Sequence, residues 1–426
     1  MDCVILNKFD AIMKYWAFFR NLMLSVFAAV LVCVPASCNG LEQQEEGNDE
    51  YEPIVLTKSQ QEVAAQGDVF ALDFIKTVAK SFPETNFFVS PMSVSMLTSM
   101  LANGAEGETY SEIVKAIGMD KFTVDQVNDC YTTLVAALLK ADKSVSLSLA
   151  NSIWAAQGLN VLSSFKKQMT SVYKADTYVV DFAKPSTLTT INEWCSKKTQ
   201  GLVPRMFEDI DPQVMMILIN ALYFKGDWMV QFDQGQTKKA PFTTLNGSTV
   251  QLDFMNATSD SFTGYGDEEV LVARMPYGNG AYEMEAIMPA TKDFLAFLSG
   301  LTKEKLAHWD AVNTKTIDLT FPKFKAEFDT DKQLVPIMQK LGMNKAFTSS
   351  AEFGKMSDAG LYVSDMRQKA FVSVDEKGTE AAAVTVAEMR KNATSYVTHM
   401  NFNRPFLYLI REKSTGVILF AGVKVQ

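Results

Sequence analysis

The sequence has little histidine, little cysteine and no excess of basic side chains. Two histidines, His308 and His399, are too few for most histidine-based zinc sites, and no GxSxG elbow accompanies them as a serine hydrolase would require. A formal charge of −9 disfavours nucleic acid, whose phosphates attract clustered Lys and Arg. We therefore expect no enzymatic activity, no metal, no cofactor and no nucleic-acid partner. His308 is predicted to lie on the surface of a helix.

The first 38 residues have the pattern of a signal peptide. Three basic residues precede the apolar run LMLSVFAAVLVCV at 22–34, which ends in small residues before Cys38. The run is about 13 residues long, whereas a bilayer span needs roughly 20. This ending also resembles a bacterial lipobox, in which the cysteine is lipidated, although Pro35 stands where that motif usually has Leu. A lipoprotein at the cell surface or outer membrane is the first interpretation, cleaved secretion the second, and a structural cysteine in an apolar helix the third.

Residues 39–61 are predicted to be an acidic linker. The stretch 39–53 carries six acidic side chains and no basic one, so it cannot bury apolar area. In a lipoprotein such a stretch would suit display on an outer surface.

Two of the five cysteines, Cys130 and Cys195, lie beyond this region. They show no CxxC or regular spacing, so two separate buried thiols are favoured over a disulfide.

Residues 62–426 are predicted to form one mixed domain in which helices come first and sheets later. Of all residues, 47% are hydrophobic and 21% charged, which is typical of a protein with a full core. Apolar residues repeat with a helical period over 70–82, and Ser90-Pro91 is typical of a helix start, with the helix ending at Gly104. Strands are predicted at 145–149, 214–219, 317–321, 406–410 and 417–420, the last two as a hairpin.

The segment from Asp375 to Arg404 carries the most information about function. Read as a strand, it has one face that is small and uncharged throughout. That face comprises Thr379, Ala381, Ala383, Thr385 and Ala387, and the other comprises Glu380, Ala382, Val384, Val386 and Glu388. The small face could enter a sheet that is already packed underneath, with Gly378 as the pivot. The same composition suits an Ala-rich helix, and the segment alone does not decide between the two.

Motifs along the whole body favour the strand, because the chain resembles the serpins, the serine-protease-inhibitor superfamily. The matching motifs are Asn86-Phe87-Phe88-Val89-Ser90-Pro91 with Ser93; Gly104-Ala105-Glu106-Gly107-Glu108-Thr109; Ile191-Asn192 and Trp194 with Thr199 and Gly201; Asn220-Ala221-Leu222-Tyr223-Phe224-Lys225-Gly226 with Trp228; Glu376-Lys377-Gly378-Thr379-Glu380-Ala381-Ala382-Ala383; and Phe402-Asn403-Arg404-Pro405-Phe406. They occur in the order expected for that family.

The resemblance implies an α+β fold, a single domain with three β-sheets, eight or nine helices and an exposed reactive-centre loop, which would include His399. It also implies a monomeric inhibitor. A target endopeptidase attacks the loop and forms an acyl-enzyme at its serine or cysteine, and the cleaved loop then inserts into the large sheet and distorts the protease. A non-inhibitory serpin that acts as a surface binding or chaperone-like protein is the alternative.

The sequence does not define a single bond that the target protease would cleave. Counting fifteen residues from Gly378, as the family does, gives Asn392-Ala393. Arg390 and Lys391 suit a trypsin-like pocket, while Met389 suits an apolar one. The order of preference is Lys391-Asn392, then Asn392-Ala393, then Arg390-Lys391.

Other positions acquire roles through the resemblance. Ser90, Ser93 and Asn220 would lie, hydrogen-bonded, under the large sheet where its central strands part. Gln368 stands where many members have histidine, which puts a histidine pH switch in doubt. Trp228 would cover the entry point of the loop. Glu376 is expected to pair with Lys323 and so to help hold the hinge closed. The alternative is an ordinary surface ion pair that stabilises the fold by roughly 0–1 kcal/mol.

Overall fold

The computed structural model describes residues 51–312, 314–379 and 397–426. The predicted signal peptide, most of the acidic linker and residues 380–396 lie outside this part of the chain. Nine helices are described: α1 Lys58–Ser81, α2 Pro91–Gly104, α3 Gly107–Ala116, α4 Val124–Leu138, α5 Ser163–Tyr173, α6 Pro185–Lys198, α7 Phe294–Ser299, α8 Lys303–Ala311 and α9 Leu334–Lys340. None of them combines the length and apolar composition that a bilayer span requires.

Helix α1 begins earlier than the predicted end of the linker. Thr57 and Gln60 form a reciprocal capping box, in which each side chain accepts from the backbone N–H of the other residue. Before the helix, Tyr51 donates a hydrogen bond to Glu412 at 3.0 Å. Residues 51–61, predicted to belong to the linker, are thus packed against or part of the folded domain.

Fifteen strands are described: β1 Phe88–Val89, β2 Ser146–Ala156, β3 Asp176–Val180, β4 Met216–Asp227, β5 Lys238–Thr243, β6 Thr249–Gly266, β7 Val270–Pro276, β8 Tyr282–Pro289, β9 Thr314–Pro322, β10 Phe324–Asp329, β11 Lys369–Val374, β12 Gly378–Thr379, β13 Thr398–Asn401, β14 Phe406–Glu412 and β15 Ile418–Lys424. Each predicted strand falls within or beside one of them.

The large sheet has the strand order β10-β11-β12-β4-β2-β3. Strand β4 lies near its middle, but the apolar run at its start is only partly buried, with Ile219 buried and Met215 exposed, so the doubly buried strand predicted from this run is wrong for its first residues. On one face, Ile219 and Ala221 pack with Trp154 and with Trp194 of α6, which lies across the sheet. On the other face, Phe224 joins the main core of the protein.

The remaining strands form a nine-stranded sheet of order β1-β15-β14-β8-β7-β6-β9-β13, with β5 paired to β6. The long strand β6 divides it, since the register of β6 against β9 shifts between Ser259 and Thr263. The N-terminal part of β6 pairs with β5 and β9, whereas its C-terminal end also pairs with β7. Strands β5, β9 and β13 with the N-terminal part of β6 form the third sheet, which is hydrogen-bonded to the second sheet through β6. The predicted α+β fold is confirmed.

Helix α2 lies inside the molecule, with all of its residues buried. Its N-cap is Ser90, as predicted from Ser90-Pro91, and the Ser90 hydroxyl accepts from the backbone N–H of Ser93. Cys130 and Cys195 are buried free thiols, which confirms that they do not pair with each other. Strand β12, at the start of the predicted reactive loop, pairs with the C-terminal end of β4 and therefore lies at one end of the large sheet.

Candidate functional site

The start of the predicted reactive loop is already part of the large sheet. Strand β12 lies between β11 and β4, with Thr379 opposite Val374 on one side and Gly226 on the other. Within the described residues, β11 and β4 pair with β12 but not with each other. A Cβ atom at Gly378 would lie 2.2 Å from the carbonyl oxygen of Gly226, so only glycine allows this approach. At these two hinge residues the backbone is a strand, as the resemblance implied.

The side chain of Thr379 points into the core. It is 2% exposed, and its hydroxyl lies 2.6 Å from the hydroxyl of Tyr277. Because side chains alternate along a strand, the small uncharged face predicted from the sequence begins on the core side of the sheet.

Glu376 is held just before β12 by two side chains. Its carboxylate accepts from the ammonium of Lys323 at 2.7 Å and from the hydroxyl of Thr237 at 2.7 Å. The Glu376 side chain is 5% exposed and that of Lys323 is 35% exposed. Burial acts to raise the pKa of Glu376, but the hydrogen bonds from Lys323 and Thr237 outweigh it and hold the pKa below its usual range. The expected pair is present, and it is far more buried than a surface ion pair.

Trp228 covers the hinge, at the position expected for it. Its indole N–H donates to the carbonyl of Asp375 at 2.9 Å, and its backbone N–H donates to the carbonyl of Lys377 at 2.7 Å. The ring is buried and stacks on Tyr277 at 4.4 Å between centroids. Phe232 adds a third bond through its backbone N–H, which donates to the carbonyl of Glu376 at 2.8 Å. The segment 375–379 is therefore fixed along its backbone as well as through its side chains.

The polar groups beneath the sheet lie close to where the resemblance placed them. The Gln368 amide accepts from the backbone N–H of Ser90 at 2.9 Å and donates to its carbonyl at 2.8 Å. The Ser90 hydroxyl donates to the carbonyl of Leu419 at 2.7 Å. An amide makes both bonds to Ser90 at once, which a neutral imidazole does only in one tautomer. Gln368 thus links α2 to β11 without a titrating group.

Asn220 departs from the expectation that all of these polar groups are hydrogen-bonded. Its amide nitrogen donates to the side-chain oxygen of Asn151 at 2.7 Å. Its own side-chain oxygen is buried and has no hydrogen-bond partner among the described residues. A buried acceptor left without a partner costs about 1–3 kcal/mol.

The C-terminal end of the loop is anchored in the third sheet. Strand β13 pairs in parallel with β9, and the imidazole of His399 lies 2.6 Å from the carboxylate of Asp318. The expectation that His399 belongs to the loop is therefore wrong, because the ladder with β9 already includes it. His308 is exposed on α8, as predicted.

Several predicted site residues lie outside the described part of the chain. These are Cys38, the hinge residues Glu380, Ala381, Ala382 and Ala383, and the reactive-bond candidates Met389, Arg390, Lys391, Asn392 and Ala393. Conversely, sequence reasoning missed Tyr277, Thr237 and Asn151. Their contacts with the site are made across 102, 139 and 69 positions, and nothing in their local sequence signals them.

Comparison with known proteins gives a consistent result. The family model for Serpin (serine protease inhibitor) matches residues 65–426. The chain is 32% identical over 381 residues to Iripin-5 of Ixodes ricinus, covering 87% of this chain and 96% of that protein. It is 31% identical over 379 residues to leukocyte elastase inhibitor A of Rattus norvegicus, covering 85% and 98%. The native structure of the thermophilic serpin tengpin matches with a TM-score of 0.78 and 27% identity, over 88% of this chain and 97% of that one.

Proposed function

The chain belongs to the serpin family, whose members include inhibitors of serine proteases, and on that premise we propose that it is an inhibitory serpin. It would act as a suicide substrate of serine endopeptidases, with cysteine endopeptidases as a second class, and would not itself be an enzyme. The target cleaves the loop and is trapped as the acyl-enzyme when the loop inserts into the large sheet. The observation that carries the proposal is the position of Thr379, already paired between β4 and β11 with its side chain in the core.

The pairing of β12 predicts the neighbours of each residue that would follow. In an antiparallel ladder, every further residue of the loop moves one position back along both partner strands. Ala381 would then lie opposite Phe224 and Val372, and Ala383 opposite Leu222 and Ala370. A cavity of about 10 Å³ lies between these strands, with walls that include Leu222, Phe224 and Ala370. Methyl side chains suit that space, because little new volume has to be accommodated.

The same register brings a hydroxyl to the unpaired acceptor of Asn220. Thr385 would lie opposite Asn220 on β4 and opposite Gln368 beside β11. Its hydroxyl could donate to the Asn220 side-chain oxygen, which has no hydrogen-bond partner among the described residues. Insertion would then remove a cost of about 1–3 kcal/mol that the native sheet carries.

The length of β4 bears on which bond is attacked. By this register Met389 would be opposite Met216, the first residue of β4. A cut beyond Met389 therefore leaves a strand long enough to cover all of β4. Lys391-Asn392, Asn392-Ala393 and Arg390-Lys391 all meet this condition.

Acidic side chains favour Lys391-Asn392 and Asn392-Ala393 over Arg390-Lys391. Arg390 and Lys391 would arrive beside Met215 and Val214, which line a cavity of about 640 Å³. The wall of this cavity also carries Asp209, Asp211 and Asp365. A cut after Lys391 or after Asn392 keeps both cations on the inserted strand, where opposite charges lie within reach. Of these two, the cut after Lys391 also fits a trypsin-like target, whose pocket binds a basic residue.

The test is to incubate the protein with trypsin and with subtilisin-, elastase- and papain-like enzymes. We expect an SDS-stable complex with the trypsin-like enzyme, and mass spectrometry of the released C-terminal peptide should locate the cut after Lys391. If none of these enzymes forms a stable complex, the inhibitory function is wrong.

A second measurement separates this function from a non-inhibitory surface binding or chaperone-like role. Loop cleavage followed by insertion adds a strand to the large sheet, so the cleaved inhibitor should melt at a much higher temperature than the native chain. A cleaved chain whose melting temperature does not rise would favour the non-inhibitory role.

We further propose export as a monomeric bacterial-type lipoprotein anchored through Cys38, with display at the cell surface or outer membrane. The supporting pattern is the basic, apolar and small-residue order before Cys38, followed by the acidic stretch. Mass spectrometry of the mature N-terminus tests it. A free amine at a residue after Cys38 would show plain secretion instead, and light scattering would test the monomer.

A further inference from the structure

Within the part of the chain that the structure describes, the hydroxyl of Tyr277 is the one side-chain group that hydrogen-bonds to the side chain of Thr379. The two oxygens are 2.6 Å apart, and both side chains are almost completely buried, at 0% and 2% exposure. Tyr277 comes directly after β7, in the sheet beneath, so this bond joins the hinge to a different sheet from the one it enters.

The ring of Tyr277 has little freedom to move. Trp228 stacks on one face with an interplanar angle of 15°, and Phe224 meets it edge-on at 5.0 Å. The backbone N–H of Tyr277 donates to the carbonyl of Tyr282 at 2.8 Å. A Cβ atom at Gly226 would lie 3.1 Å from the ring, so glycine lets the ring approach β4 closely. These contacts define the position of the hydroxyl that Thr379 meets.

We propose that Tyr277 is a positioning residue that keeps Thr379 in the sheet before any protease arrives, so that loop insertion starts at Glu380. The proposal rests on the inhibitory function argued above. Forming the first rung of a ladder fixes several backbone dihedrals before many contacts are made, whereas each later residue adds to an existing rung. With Thr379 already held, insertion skips this slow first step. It then competes better with hydrolysis of the acyl-enzyme.

Two single substitutions remove the bond from opposite sides with little change in shape. Tyr277→Phe deletes the phenol oxygen, and Thr379→Val replaces the hydroxyl by a methyl. Tyr408→Phe is the matched control, since Tyr408 is also fully buried but its hydroxyl has no hydrogen-bond partner among the described residues. Thr379→Ser retains a hydroxyl and tests rescue.

The first readout is hydrogen exchange of the peptide spanning 374–379, measured by mass spectrometry on the full chain without protease. Each single variant should exchange there roughly five-fold faster, the factor expected for one neutral hydrogen bond. The double variant should exchange no faster than either single one, because both remove the same bond. Thr379→Ser should exchange at a rate closer to that of the native chain, and Tyr408→Phe should match the native chain.

The second readout is the stoichiometry of inhibition of trypsin, the number of inhibitor molecules consumed per protease trapped. It should rise in Tyr277→Phe and Thr379→Val and stay at the native value in Tyr408→Phe. Unchanged hinge exchange, an equal effect of Tyr408→Phe, or faster exchange with an unchanged stoichiometry would each overturn the proposal. If the native chain traps no protease, the inhibitory function fails and the role in insertion with it, while the exchange data still show separately whether Tyr277 holds Thr379.

Discussion

Replacement of Ala383 by arginine tests whether the small face of the loop must enter the core. The register of β12 puts Ala383 opposite Leu222 and Ala370, on the side where Thr379 is buried. The cavity there is about 10 Å³ and is lined mainly by apolar side chains. An arginine at this position would need more volume than the site offers and would find no carboxylate to pair with.

The size of the effect follows from the cost of burying the guanidinium. After relaxation, an unpaired buried ion still costs several kcal/mol, and every 1.4 kcal/mol on a barrier changes a rate about tenfold. Insertion should therefore slow by roughly a hundredfold or more. Hydrolysis of the acyl-enzyme should keep its rate, because the reactive bond lies several residues away along the chain. Ala383→Arg should consequently be cleaved as a substrate and should trap little protease.

The assay titrates trypsin with the native chain, with Ala383→Arg and with Ala383→Ser, and separates the products on SDS gels. The serine variant keeps the small volume and should still form the complex. Thermal unfolding of each uncleaved variant controls for general destabilisation. A stoichiometry of inhibition for Ala383→Arg equal to that of the native chain would refute insertion on this register.

Three further results are expected. Glu376→Lys places two ammonium groups where the pair with Lys323 was, and because Lys323 is 35% exposed the loss of this charged hydrogen bond costs roughly 1–3 kcal/mol, so mild heating should raise polymer formation on a native gel. An unchanged gel would count against the pair as a hinge restraint. Burial raises the pKa of Asp68 to about 7, so the folded state keeps the proton that the unfolded state has lost above pH 4. The free energy of unfolding should then fall by about 3 kcal/mol from pH 4 to pH 7, and denaturant titrations of Asp68→Asn should lack this slope. Burial also raises the pKa of the Cys130 and Cys195 thiols to about 12, so a thiol reagent should label neither until the protein unfolds, and fast labelling would contradict their burial.

Local sequence patterns predicted the elements whose cause is local. Ser90 followed by Pro91 defines the start of α2, since an N-cap hydroxyl and a proline at the first helical position act within one turn. The capping box of Thr57 and Gln60 is equally local and visible in the sequence, and the helix that it starts lies partly within the predicted linker. Here a helix-start signal decides the structure against the acidic composition of the preceding residues.

Contacts across sheets could not be predicted in the same way. The resemblance implies that His399 belongs to the loop, and nothing in the sequence near it predicts the parallel ladder with β9, a strand some eighty residues earlier. The buried carboxylate of Glu376 accepts a hydrogen bond from Thr237, which the packing of two separate sheets brings within 2.7 Å. Only the resemblance to a family predicted the pair with Lys323, because spacing along the chain carries no such information. Tyr277 had neither a local signal nor a family role assigned to it.

In the proposed mechanism, the drive for insertion and the choice of target depend largely on different residues. The drive lies in the sheet: β4 and β11 are joined through one short strand, and Asn220 keeps a buried acceptor without a partner among the described residues. Each new rung would add hydrogen bonds worth roughly 1 kcal/mol net, and filling the acceptor of Asn220 removes a further cost. None of these terms involves Lys391 or Asn392. Because the proposed ladder with β4 would end at Met389, substitutions at the reactive bond should mainly change which protease is caught, and trapping of an acylated protease should lose only what Arg390 and Lys391 gain beside the acidic cavity.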